Sequence, residues 1–278
     1  MQERFKGKTE QYFFNTLAEL ARWIENTPAT WRAKSSASAN YGNSWDLGVG
    51  YGKAWTMARN GWNEGAQRAQ AALKAFAPLT PSPDERTDFY GHRPHVARFC
   101  AGAPDSMIRH EPCADNGSGK VLTLVVNISV DCSQRAANVA NYGLGIAQYV
   151  NQLESDGIQC EVIAACVQSI SGKRVCFSWR VKGAEQPLDL ANLSFAIGHP
   201  AMFRRICFAL IERCKARECS VYGYPETVKA SDVINAPIGT VALNGINDAN
   251  TNAATPQAAL DHIARHIETA LEAMEYAQ

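Results

Sequence analysis

The chain has 278 residues, 46% of them hydrophobic, with 27 Lys and Arg against 27 Asp and Glu. Such a length and apolar content can bury a substantial core, which excludes a wholly disordered chain, and formal neutrality excludes a protein that coats polyanions by net charge alone. The charged start, Met1 to Lys6, and a longest apolar run, Val121 to Val130, far short of the roughly 20 residues that span a bilayer, predict neither secretion nor membrane insertion.

The N-terminal stretch 1–77 reads as a helical lobe rich in aromatic and basic residues. Thr9 to Ile24 places Tyr12, Phe13, Leu17, Leu20, Ala21 and Ile24 at helical spacing and predicts one amphipathic helix, stopped by Asn26-Thr-Pro28. Thr30 to Gly52 has no sustained period and reads as loop, after which Ala54 to Phe76 reads as helix interrupted around Asn60-Gly61. Six prolines crowd 78–118, removing backbone donors and disfavouring helix before each, so that stretch is expected to be mostly irregular.

The core is expected at 119–230, as an α/β unit with a central mixed or parallel sheet. Val121 to Val130 has the β-branched, apolar character of a strand buried on both faces. A helix to about Ser155 and a second apolar strand, Ile158 to Gln168, complete a strand-helix-strand crossover over about 121–168. Val175, Phe177, Trp179 and Val181 alternate with polar residues in a third strand, Lys173 to Lys182, reached by a hairpin turn. Helices follow at Leu190 to Ile197 and Pro200 to Lys215, then a polar loop over 231–256, and an acidic amphipathic helix over 257–278 with Leu260, Ile263, Ile267, Leu271 and Met274 on one stripe. Nine cysteines, an odd count mostly set inside apolar patterns, read as reduced thiols in a cytosol.

Charge alternates in sign along the chain, with 1–75 and 173–230 net basic and the rest net acidic. In the first basic block, Trp31, Arg32, Lys34, Tyr41, Trp45, Tyr51, Lys53 and Arg59 interleave planar rings with cations. That mixture suits single-stranded nucleic acid, whose phosphates take the cations and whose unpaired bases stack on the rings. The competing role for its tryptophans is as core anchors, and Trp55 and Trp62, seven apart on a helix, fit that role best. The second block, Lys173, Arg174, Arg204 and Arg205 with Arg180 and Lys182 beside them, forms a basic patch if a sheet edge and a neighbouring helix present it together; otherwise it is a solvated or ion-paired face.

Metal chemistry has two candidate sets. His92-Arg-Pro-His95 and His110-Glu-Pro-Cys113 have the pair spacing of zinc ligands. Asn127, Ser129 and Asp131 resemble the metal-binding strand end of von Willebrand factor A-type domains, to which the expected core is distantly similar, but Asn stands where that family has its leading carboxylate. Gly117-Ser-Gly119-Lys120 lacks the upstream Gly and trailing Ser or Thr of a P-loop, and Gly143-Leu-Gly145 lies inside a helix without the third Gly of a dinucleotide fingerprint. These failures favour binding over catalysis, with no cofactor expected.

Ser44-Trp45, Arg59-Asn-Gly-Trp-Asn-Glu-Gly65, Leu153-Glu-Ser-Asp-Gly-Ile-Gln-Cys-Glu161, Leu188-Asp-Leu190 and Gly198-His-Pro-Ala-Met-Phe-Arg-Arg205 together resemble a family of phage-encoded proteins, over roughly 9–75 and 120–225. Within it the chain looks like the early single-stranded DNA-binding proteins of podoviruses that carry a virion RNA polymerase. The resemblance implies a protein of the infected host's cytoplasm that holds opened promoters and recruits a phage RNA polymerase, on a fold unlike the usual OB barrel. A metal-binding α/β protein and a structural interaction module are the alternatives.

Overall fold

A computed structural model of the chain describes residues 1–29, 46–75, 85–89, 93–94, 96–110, 121–130, 134–155, 158–170, 173–214, 227–244 and 253–275. The fold is α/β. Nine strands are described: β1 Gln2–Lys6, β2 Thr9–Phe14, β3 Glu85–Asp88, β4 Arg93–Pro94, β5 Met107–His110, β6 Val121–Asn127, β7 Gln159–Ile170, β8 Lys173–Lys182 and β9 Val241–Leu243. Eight α-helices are described: α1 Leu17–Asn26, α2 Tyr51–Asn60, α3 Asn63–Ala75, α4 Val96–Cys100, α5 Ala136–Ser155, α6 Leu190–Ala196, α7 Phe208–Ile211 and α8 Pro256–Glu275. A π-helical turn, Met202–Cys207, leads into α7.

Six strands form one mixed sheet in the order β1-β2-β8-β7-β6-β9. The expected crossover is present: β6 and β7 pair in parallel, joined through α5, and β7 turns back antiparallel onto β8. Alternation divides these strands between two cores. Leu122, Leu124, Val126, Val162, Ala164, Cys166, Val175, Phe177 and Trp179 face the large core beneath the helices. Val125, Ile163, Ala165, Val167 and Cys176 face the other side, where Val228, Val233 and Ile234 of the segment after residue 226 cover them. Both faces are therefore apolar, which is why these strands read as near-continuous hydrophobic runs. Among the described residues no helix is long and apolar enough to cross a membrane.

The N-terminus departs from the expected single helix. Thr9–Phe14 is a strand, paired antiparallel with β1 and parallel with β8. Tyr12, Phe13 and Phe14 are buried in succession, Tyr12 and Phe14 in the large core and Phe13 in the small one, a pattern only a two-sided strand satisfies. The helix starts at Leu17, because the Thr16 hydroxyl accepts a hydrogen bond from the Glu19 amide at 3.0 Å and Glu19 accepts one from the Asn15 amide at 2.7 Å. Residues 1–77 thus contribute two strands to the main sheet, and the side chains of α1 and α2 join the same large core. Within the Pro-rich stretch, expected to be mostly irregular, the short strands β3, β5 and β4 make a small antiparallel sheet, and α4 follows β4 in the chain.

Close backbone contacts explain several of the sequence markers. Gly61 adopts φ +78 between α2 and α3, and a Cβ there would lie 2.7 Å from that of Ala191. Asp189, in Leu188-Asp-Leu190, caps α6 by accepting from the amides of Ala191 and Asn192 at 3.0 and 3.1 Å. Gly143, on α5, lies against the backbone of Gly198. These markers are packing joints.

Candidate nucleic-acid interface

Tyr51, Trp55 and Arg59 recur every fourth residue along α2 and so share one face. The rings of Tyr51 and Trp55 stack with centroids 6.1 Å apart and planes 27° from parallel. Both are half-buried against the large core, and burial raises the Tyr51 pKa, so the phenol is neutral at ordinary pH. Glu25 of α1 closes the row, its Oε1 accepting from the Trp55 indole at 3.2 Å and from Arg59 at 3.3 Å. The Arg59 side chain keeps 53% of its surface exposed, so this ion pair leaves the guanidinium open to other anions. Lys53 is exposed elsewhere on the same helix. Trp31, Arg32, Lys34, Tyr41 and Trp45 lie outside the described residues. Of the two tryptophans expected as core anchors, Trp62 belongs to the large core, while Trp55 packs against it only in part.

The second basic block does not form a patch. Arg204 and Arg205 are each 1% exposed, inside the π-helical turn. Arg205 sends Nε and Nη2 to Asp46 Oδ2 at 3.0 and 2.6 Å, and Arg204 donates to the Gln134 carbonyl at 3.0 Å. Both are core braces, withdrawn from any surface ligand. Arg174 grips Asp232 through two bonds, at 3.0 and 2.8 Å, and reaches the Thr227 carbonyl at 2.6 Å. Arg180 pairs with Glu161 at 2.7 Å, and Lys182 is buried beside Glu154, donating to the Cys160 carbonyl at 2.9 Å. Lys173 alone of the six is exposed, 3.8 Å from Glu10. Adjacency in sequence concealed which cations the core consumes.

Of the expected zinc ligands, His92, His95 and Cys113 lie outside the described residues, and His110 is described only as the end of β5. Among the described residues no group of three or more His, Cys, Asp or Glu is placed to hold a metal. At the end of β6, Asn127 Oδ1 accepts from the Ser129 amide at 3.0 Å, while Ser129 Oγ donates to the Val167 carbonyl and accepts from the Val167 amide. Both side chains are buried, Asn127 bracing the turn of the strand end and Ser129 tying it to β7; Asp131 lies outside the described residues.

Arg4 and Lys6, outside the basic positions singled out in the sequence, line a groove of about 580 Å³ with Thr9 and Gln11 of β2 and the segment 230–238. The signal was there. Arg4, Lys6 and Lys8 alternate along a strand and turn at Gly7, whose φ is +58.

His199 is buried between Trp62, at 4.6 Å between ring centroids, and Phe195. Its Nδ1 accepts from the Ala201 amide at 3.1 Å. Burial above all, with the charges of Lys53 and Arg68, lowers its pKa from 6.5 to about 4. Because the folded value is depressed, the unfolded chain takes up the proton first, so stability is complete above about pH 6.5 and drains as pH falls toward 4. Urea unfolding should show a loss of about 2 kcal/mol between pH 7 and pH 5. His199→Asn, which retains an acceptor near the Nδ1 position, should flatten that slope; an unchanged slope would assign the loss to other groups.

The sheet order, the two-sided core and the cation-bearing surfaces define an α/β protein built on a mixed six-stranded sheet. The chain belongs to the family described as a domain of unknown function, DUF7192, whose model matches residues 3–272. No curated protein and no solved structure matches it.

Proposed function

We propose that this protein binds single-stranded DNA and serves phage transcription as an accessory factor, bringing a phage RNA polymerase to opened promoters in the cytoplasm of the infected bacterium. Its activity in this reading is binding, without a catalytic group. The observation that carries the DNA-binding part is the Tyr51-Trp55-Arg59 row on α2, which sets stacked rings beside a half-exposed guanidinium. Base-on-ring stacking is worth about 1–3 kcal/mol per base and tolerates any sequence, and each phosphate contact adds salt dependence. The transcriptional role rests on the sequence resemblance.

Fluorescence anisotropy with a short labelled oligonucleotide, at two salt concentrations, tests the reading. The full chain should bind more weakly at the higher salt. Trp55→Leu, which keeps an apolar side chain against the core, should weaken binding by about 1–3 kcal/mol, roughly 5- to 150-fold. Arg59→Gln should lower the salt slope by about one charge. No binding by the unaltered chain, or binding insensitive to salt, sinks the proposal.

A further inference from the structure

We infer that the groove between the sheet edge and the segment 230–238 is a binding site for a phosphorylated nucleoside unit, its phosphate on Arg4 and Lys6 and its base against Val233, Ala236, Pro237 and Ile238. As a second contact for a bound strand, this rests on the single-stranded DNA reading; as a nucleotide site it stands separately.

The strand's own geometry aims the cations. Asn235 Nδ2 donates to Gln2 Oε1 at 3.1 Å, which fixes Gln2 on the groove side of β1. Alternation then brings Arg4 and Lys6 to that side, about 7 Å apart, while Glu3 and Phe5 point away. Phe5 accordingly meets Tyr12, a residue of the large core on the opposite face.

Among the described residues these two cations are not consumed by the carboxylates near them. Among the described residues lining the groove the one carboxylate, Asp232, is held by Arg174 and also accepts from the Lys229 amide at 2.8 Å. Glu161, on the same sheet face, is held by Arg180. Neither Arg4 nor Lys6 has an ion-pair partner among the described residues. An anion entering the groove therefore meets two positive charges without having to displace a carboxylate from them.

The far wall is of opposite character. Ile238 stands fully exposed at the rim beside exposed Pro237, with Val233 buried behind. An uncovered apolar wall facing cations suits a ligand with an anionic end and a flat apolar one. The volume lies in the range of small-ligand sites, roughly 300–1,000 Å³. The wall is also braced: Gln11 Nε2 donates to the Ser231 carbonyl at 2.7 Å, and the Val228 amide to Asn244 Oδ1 at 2.6 Å.

The test titrates the full chain with thymidine monophosphate, thymidine, inorganic phosphate and a short oligothymidylate, read by NMR shifts and calorimetry. The monophosphate should bind at least tenfold more tightly than thymidine or phosphate. Arg4→Gln with Lys6→Gln, both exposed positions, should weaken it tenfold or more without moving the melting temperature. Ile238→Ser should weaken the monophosphate but not phosphate. No monophosphate binding, or equal binding by the Arg4/Lys6 variant, overturns the inference even where the oligonucleotide still binds through α2. Competition between oligonucleotide and monophosphate extends the site to a strand. Monophosphate binding by a chain that ignores the oligonucleotide upholds the groove and removes the single-stranded DNA reading alone.

Discussion

Replacing Asp46 by alanine should cost about 3–5 kcal/mol of folding stability, the usual result of stripping a buried cation of its carboxylate. Arg205 and Asp46 are 1% and 3% exposed at the side chain and joined by two bonds to one oxygen, while Asp46 Oδ1 also accepts from the Gly48 amide at 3.0 Å. In the variant the guanidinium must remain charged in a poorly hydrated site, or drag water and its π-helical turn outward. The double change Asp46→Leu with Arg205→Met should recover most of the loss, because the desolvation penalty of both ions disappears together. Urea midpoints at constant m-value distinguish the cases. An Asp46→Ala shift no larger than a surface substitution, about 0.5 kcal/mol, would show that the pair is no brace.

A glycine series supplies the second large effect. A Cβ on Gly143 would sit 2.5 Å from Gly198 Cα and 2.8 Å from its amide nitrogen. Both are backbone atoms, so no rotamer change relieves the clash and α5 must back away from the turn it packs on. Alanine's better helix propensity, about 1 kcal/mol, is outweighed by the overpacking, and Gly143→Ala should destabilise by about 2 kcal/mol or more. At Gly145 the nearest atoms are 3.0–3.1 Å away and one is the mobile Cδ1 of Ile263, so the loss should be smaller. Gly52 in α2 has nothing within 4 Å, and Gly52→Ala should stabilise by about 0.5–1 kcal/mol. Thermal melts should place Gly52→Ala above the unaltered chain, then Gly145→Ala, then Gly143→Ala. Gly143→Ala melting at or above Gly145→Ala would mean that α5 sits less tightly than these distances imply, and Gly52→Ala melting below the unaltered chain would mean that the space beside Gly52 on α2 is not open.

The crossover from β6 through α5 to β7 was legible because two continuous apolar runs, each the length of a strand buried on both faces, flank a helix-length segment that ends at Asp156-Gly157. So was the long α8, whose Ile263 and Ile267 are fully buried as their stripe required. The N-terminal strand was not legible, because Tyr12-Phe-Phe14 followed by Leu17, Leu20 and Ile24 satisfies a helical template as well as a two-sided strand. Only the Thr16-Glu19 cap marks the junction. The small sheet around β5 escaped because two- and four-residue strands between prolines carry no period at all. At the site, Lys53 and Arg59, expected as cations of the aromatic-basic block, are exposed on α2, while Tyr51, expected in the loop ending at Gly52, is the first residue of that helix and half-buried. The fates of Arg174, Arg204 and Arg205 depend on Asp232, Gln134 and Asp46, remote in sequence, and no local pattern could assign those partners.

The parallel pairing of β2 with β8 also sets the order in which the molecule can assemble. Residues 9–14 leave the ribosome before their partners at 174–179 by more than half the chain. At about 5–20 residues per second the first hairpin waits on the order of ten seconds, with Tyr12, Phe13 and Phe14 lacking their sheet neighbour. Closing so long a loop is entropically late, so the β6-to-β8 unit should form first and the N-terminal hairpin dock onto it as a final step. During that wait the nascent chain displays a bare aromatic segment to holdase chaperones and to other nascent chains.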